Sequence, residues 1–95
     1  MFGCHYTHKF IETPKGILLI DVADTGYSGW EGAFAEVDLD SFAEQWGDNN
    51  YTFEDVVNYA EDFDCISDWE VVSNGHRNPE IAERNVYRAI KKLAF

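Results

Sequence analysis

Ninety-five residues are enough for one modest hydrophobic core and too few for two, so a single compact domain spanning 1–95 is expected. Hydrophobic residues at 45% and aromatics at 16% exclude an intrinsically disordered chain. Eighteen acids against seven bases, net −11, exclude a binder of nucleic-acid phosphates, whose affinity comes from Lys and Arg.

The chain opens with CHYTHKFI (4–11), where Cys4, Tyr6, His8 and Phe10 alternate as on one side of a strand. Thr13-Pro14-Lys15-Gly16 supplies a turn with Pro at its second position. Ile17–Ala23 (ILLIDVA) is almost wholly apolar and reads as a strand buried on both faces, completing an antiparallel hairpin. DTGYSGWEG (24–32), with three glycines, reads as an irregular loop, and AFAEV (33–37) as a third short strand.

Three helices are then expected. The first is capped by Asp38, stapled by Val37 and Phe42, striped with Leu39, Phe42, Ala43 and Trp46, and stopped by Gly47. In the second, Thr52 with Asp55 forms a capping box, and Phe53, Val56, Val57, Ala60 and Phe63 form its apolar face. SDWEVVS (67–73) reads as a strand and NGHRN (74–78) as a turn. Asn78-Pro79-Glu80 starts a closing helix to about Leu93, with Ala82, Val86, Ala89, Ile90 and Leu93 facing the core. The expected fold is α+β: a small antiparallel sheet of three or four strands packed against three helices.

No apolar run approaches the roughly 18 residues of a membrane-crossing helix, and the start MFGCHYTHKF lacks the pattern of a secretory leader. The expectation is a soluble cytoplasmic protein without membrane contact, whose Cys4 and Cys65 are buried free thiols.

Charge is segregated along the chain. Between Lys15 and Arg77 there is no Lys or Arg, while fifteen of the eighteen acids lie there; residues 77–95 hold five bases against two acids, a net of +3. The closing helix follows its dipole, with Glu80 and Glu83 early, Arg88, Lys91 and Lys92 late, and Glu80 spaced to pair with Arg84. The second helix does not: Glu61, Asp62 and Asp64 crowd the end where the dipole disfavours anions by about 0.3–1 kcal/mol each. Local rules tend to fail where residues serve function.

Motifs for chemistry are absent. His5 and His8, three apart, turn to opposite faces of a regular strand, and Cys4 and His8 share a face at about 13 Å. A metal site would need Cys65, His76 or carboxylates brought in by the fold. Asp21 and Asp24 form an acid pair that eighteen acids produce by chance. DLDSFAEQWGDN (38–49) lacks the central glycine and alternate oxygen ligands of a calcium loop, and no nucleophile elbow, zinc-protease helix or phosphate loop is present. No catalytic residue, metal, cofactor or enzymatic activity is expected.

What remains is a surface for a basic protein. Glu54, Asp55, Glu61 and Asp62 recur at about 10 Å intervals along a helix, and Asp64, Asp68 and Glu70 extend the row, with Tyr59 and Trp69 interleaved as aromatic anchors. Trp30, Trp46 and Tyr51 are further anchors wherever exposed. A basic groove that binds DNA or RNA releases its counterions equally well to a rigid polyanionic protein. In size and charge the chain resembles the small DNA-mimic inhibitors made by phages and mobile elements against restriction or CRISPR nucleases, a likeness of composition. That likeness implies an inhibitor that occupies a nucleic-acid-binding enzyme or complex. The alternative is an acidic interaction module, an adaptor or the immunity partner of a basic toxin, without mimicry.

Overall fold

The computed structural model describes residues 4–26 and 29–93. The order is β1 (His5–Thr13), β2 (Gly16–Asp24), β3 (Trp30–Glu36), α1 (Leu39–Trp46), α2 (Phe53–Tyr59), β4 (Glu70–His76) and α3 (Pro79–Lys92). The four strands form one antiparallel sheet in sequence order, β1-β2-β3-β4. This is the expected α+β architecture, with the helices divided between the two faces of the sheet.

That division follows from the central strand. Leu18, Ile20 and Val22 of β2 join Phe34 of β3 and Ala82, Val86 and Ile90 of α3 in one buried cluster. Ile17 points the other way, into a cluster with Val37, Phe42 of α1, Val56 of α2, Ala60 and Cys65. An apolar run with no polar alternation, as in ILLI, suits a strand covered on both sides. Helix α3 seats directly on the sheet at Gly32, where an added Cβ would lie 2.7 Å from Val86 Cγ2 and 2.9 Å from the Ala82 carbonyl oxygen.

The local signals of the helices are realised. Asp38 accepts from the Ser41 amide, Gly47 closes α1 at φ 108°, and Thr52 and Asp55 form a reciprocal capping box. Asn78 accepts from the Glu80 amide and Pro79 opens α3. Two stripe residues do not reach the core: Val57 is 38% and Leu93 51% exposed. Val57 sits on the outer margin of a helix one turn shorter than its apolar spacing suggests. No Lys or Arg, Arg84 included, forms an ion pair with a carboxylate among the described residues.

Three strand boundaries differ from expectation. β3 begins at Trp30, inside the segment read as loop, because Trp30, Glu31 and Gly32 pair with Asp24, Ala23 and Val22. Tyr27 and Ser28 of that segment lie outside the described residues. β4 is displaced toward the C-terminus, so Asn74, Gly75 and His76 are strand rather than turn. Two register shifts opposite β3 and Gly75 at φ 77° let the ladder continue to the Trp30–His76 pair. Ser67–Trp69 are unpaired by strand ladder, although the Ser67 amide donates to the Glu36 carbonyl at 2.9 Å.

The third difference is in β1. Thr7 pairs with Val22 and His5 with Ala23, so two steps on β1 match one on β2 and Tyr6 is the extra residue of a bulge. From Thr7 onward the alternation is regular: Thr7, Lys9 and Ile11 share the face of α3, and His8, Phe10 and Glu12 the face of α1 and α2. The bulge moves His5 onto the second face as well. The expectation that His5 and His8 lie on opposite faces is therefore overturned. Cys4 is also corrected, being an exposed free thiol, while Cys65 is buried and free as expected.

Candidate functional site

The acidic residues singled out in the sequence divide by location. Glu54 and Asp55 occupy the first turn of α2, where the dipole favours anions; Glu54 is exposed, but Asp55 Oδ2 accepts from the Thr52 amide at 2.9 Å and serves as a cap. Glu61, Asp62 and Asp64, all exposed, lie in the turn that closes α2. There the Cys65 amide donates to the Ala60 carbonyl and the Asp64 amide to the Glu61 carbonyl, the paired closure of a helix by a left-handed residue. That residue is Asp64, at φ 56° the one non-glycine with positive φ among the described residues.

Asp68 and Glu70 are exposed too, but Glu70 pairs with Phe34 and so belongs to the sheet face under α3. The row is thus bent round the β4 edge. Of the aromatic anchors, Tyr59 is 43% and Trp69 44% exposed. Tyr59 is braced against Trp46 and Phe63, at ring-centroid distances of 5.7 and 5.8 Å. Trp30, Trp46 and Tyr51 are half-buried: Trp30 packs on the α3 cluster, and the other two flank Phe42.

A second constellation lies on the face shared with α1 and α2, beyond the end those short helices cover. His5 Nδ1 stands 2.6 Å and His8 Nδ1 2.9 Å from the same Asp21 oxygen, Oδ1. The two imidazoles meet edge-on at a centroid distance of 5.3 Å. From the turn after α2, Glu61 Oε1 approaches His8 Nε2 at 3.4 Å. Asp21 reaches this cluster because His8 is its register partner, and His5 because of the Tyr6 bulge. Partial burial by itself would lower the pKa of His8, but the hydrogen bonds and negative charges of Asp21 and Glu61 outweigh it and hold the imidazole above its ordinary value.

The other face shows how differently polar groups are used under α3. Asn85 Nδ2 donates to Ser73 Oγ at 3.1 Å and lies 3.2 Å from His76 Nε2, and the Thr7 hydroxyl donates to Glu83. Lys9 lies over the Tyr87 ring at 5.9 Å. These contacts tie β1, β4 and α3 together. A cleft of about 420 Å³ at the β1–β2 turn, lined by Lys15, Ile17, Glu36, Asp38, Asp40 and Ser67, is open, and the Ser67 hydroxyl on its wall donates to the Glu36 carbonyl.

Sequence reasoning found the acids and missed the histidine cluster. Its signal was present in part: HYTH and ILLID in consecutive strands joined by a tight turn bring His8 opposite Asp21. The bulge that adds His5, and the α2 closure that adds Glu61, have no local signature. Comparison with protein-family models, curated proteins and solved structures found no match, so no relative lends this chain a function. No helix among the described residues is long and apolar enough to cross a membrane.

Proposed function

We propose that the protein acts by binding, presenting an acidic surface to a basic partner, and that this partner is a nucleic-acid-binding protein or complex whose groove the carboxylates occupy in place of phosphates. The observation that carries the reading is the exposure of Glu54, Glu61, Asp62, Asp64 and Asp68 within a stretch that holds no Lys or Arg, with Glu70 set apart on the face under α3. Asp62 and Asp64 sit against the dipole at the end of α2, and Asp64 occupies a backbone conformation that glycine adopts at less cost. Tyr59 and Trp69 provide apolar area beside the charges, which a binding surface needs for affinity beyond steering. The mode is inhibition by occupancy, without turnover.

The test is competition. The protein, immobilised, is offered bacterial nucleic-acid-binding proteins at low and high salt, and retained partners are challenged with duplex DNA and with RNA. Salt-sensitive capture that nucleic acid displaces supports mimicry. Salt-sensitive capture that nucleic acid leaves intact reduces the function to an acidic interaction module, and the absence of salt-sensitive capture overturns both. The control variant combines Glu54→Lys with Asp62→Lys and spares Glu61, which has a second partner in His8.

A further inference from the structure

We infer that His5, His8 and Asp21 form a binding site for one divalent d-block cation of the Zn²⁺ type, with Glu61 orienting His8 from behind. The three side chains each offer a ligand atom, and these atoms all lie within 4.8 Å of one another. Two imidazole nitrogens and a carboxylate oxygen suit Zn²⁺ and its neighbours, and disfavour Mg²⁺ and Ca²⁺, which select all-oxygen sets. Tetrahedral Zn²⁺ with bonds near 2.0–2.1 Å needs ligand atoms about 3.3 Å apart. The 2.6 and 2.9 Å separations from Asp21 Oδ1 to the two Nδ1 atoms therefore open by less than about 1 Å to admit the ion.

The hydrogen-bond pattern supports this use of the cluster. Both Nδ1 atoms converge on one carboxylate oxygen, the point that a cation would share with them. A ligating imidazole must be deprotonated at the nitrogen that binds and protonated at the other. With an ion bound, His8 Nδ1 would give up the proton it shares with Asp21, and Glu61 Oε1, 3.4 Å from His8 Nε2, would accept from the nitrogen that stays protonated. A carboxylate behind a histidine behind a metal is a recurrent outer-shell arrangement, worth about 10–100-fold in metal affinity.

The scaffold is suited to the purpose. His8 and Asp21 are register partners in the middle of the β1–β2 ladder, so their spacing is fixed by backbone pairing. The Tyr6 bulge contributes the third ligand by turning His5 to the same face, and bulges are common where a strand must re-aim a side chain. Three protein ligands leave at least one coordination position for water or a partner's group. Because Glu61 comes from the turn that closes α2, the ion would also fasten that turn to the sheet.

Titration of Zn²⁺ into the metal-free full-length protein, with Mg²⁺ in excess and Cys4 replaced by Ser to remove the exposed thiol, tests the site. Calorimetry is expected to show one ion per chain. Nuclear magnetic resonance of the imidazoles should show His5 and His8 shifting while His76 stays in place. His8→Ala and Asp21→Asn each weaken binding by more than about 10-fold, and Glu61→Gln weakens it by about 10–100-fold at unchanged stoichiometry. Binding that Mg²⁺ abolishes, that shifts no imidazole, or that survives the ligand substitutions undiminished would be diffuse attraction to an acidic surface and overturns the inference. So does absence of stoichiometric binding, a result read on the unsubstituted histidines and independent of any variant's folding. Failure here leaves the proposed binding function standing, since the Glu54→Lys and Asp62→Lys control involves none of these four residues.

Discussion

The two faces of the sheet are covered by helices of unequal reach. On one, the fourteen residues of α3 run along the strands, bury Ala82, Val86 and Ile90, and draw Thr7, Ser73 and His76 into contacts with Glu83 and Asn85. On the other, α1 and α2, of eight and seven residues, cover only the end near the β1–β2 turn. His5, His8 and Asp21 lie beyond that end of the face. A helix at 1.5 Å per residue shields a strand at about 3.3 Å per residue only if it is long enough or repeated. The shortness of α2 is thus what leaves the histidine cluster uncovered, and the turn after it brings the Glu61 carboxylate beside His8.

Several changes would sharpen or break this contrast. Phe42→Ala empties the centre of the α1/α2 cluster and is expected to cost about 3–5 kcal/mol in denaturant unfolding. A much smaller loss would mean that the short helices are only loosely seated. Gly32→Ala tests the opposite face: its new methyl meets Val86 and the Ala82 carbonyl, and the resulting strain is expected to cost about 1–3 kcal/mol. If it is neutral, α3 is not seated on Gly32 as described. Asp64→Gly should act in the other direction, raising stability by about 0.5–1 kcal/mol, since glycine adopts the left-handed conformation freely and the substitution removes an anion from a helix end.

Smaller effects bear on the charged surface. Glu54→Lys with Asp62→Lys is expected to leave the unfolding free energy within about 0.5 kcal/mol, the loss at the start of α2 offsetting the gain at its end, while capture of a basic partner disappears. Unfolding of that variant would show the acids to be structural. In the metal-free protein, the His8 imidazole should titrate above its ordinary value, and Glu61→Gln should bring its midpoint down, as followed by proton resonances. An unchanged midpoint would mean that Glu61 does not reach His8 in solution.

How much was legible in the sequence depended on the range of the interaction. Caps are encoded within four residues, so Asp38, Thr52 with Asp55, Gly47 and Asn78 could be read directly and occur as expected. The Thr13–Gly16 hairpin and the doubly buried ILLI strand were legible for the same reason. The start of β3 and the placement of β4 were not, because glycine-rich and polar segments become strand only when a neighbour offers a ladder. Glu70 was read as part of one row with Glu61, yet register with Phe34 assigns it to the other face.

By itself, the sequence determined an acidic α+β chain with two-sided burial of its second strand, three capped helices and a basic closing helix. Those properties follow from composition and short-range spacing, which no tertiary contact needs to complete. Only the tertiary structure decided that His5, His8, Asp21 and Glu61 meet, because a single inserted residue inverts the facing of every side chain before it. Period-two spacing presumes an unbroken ladder, and the bulge at Tyr6 is a property of pairing with β2 rather than of β1 alone.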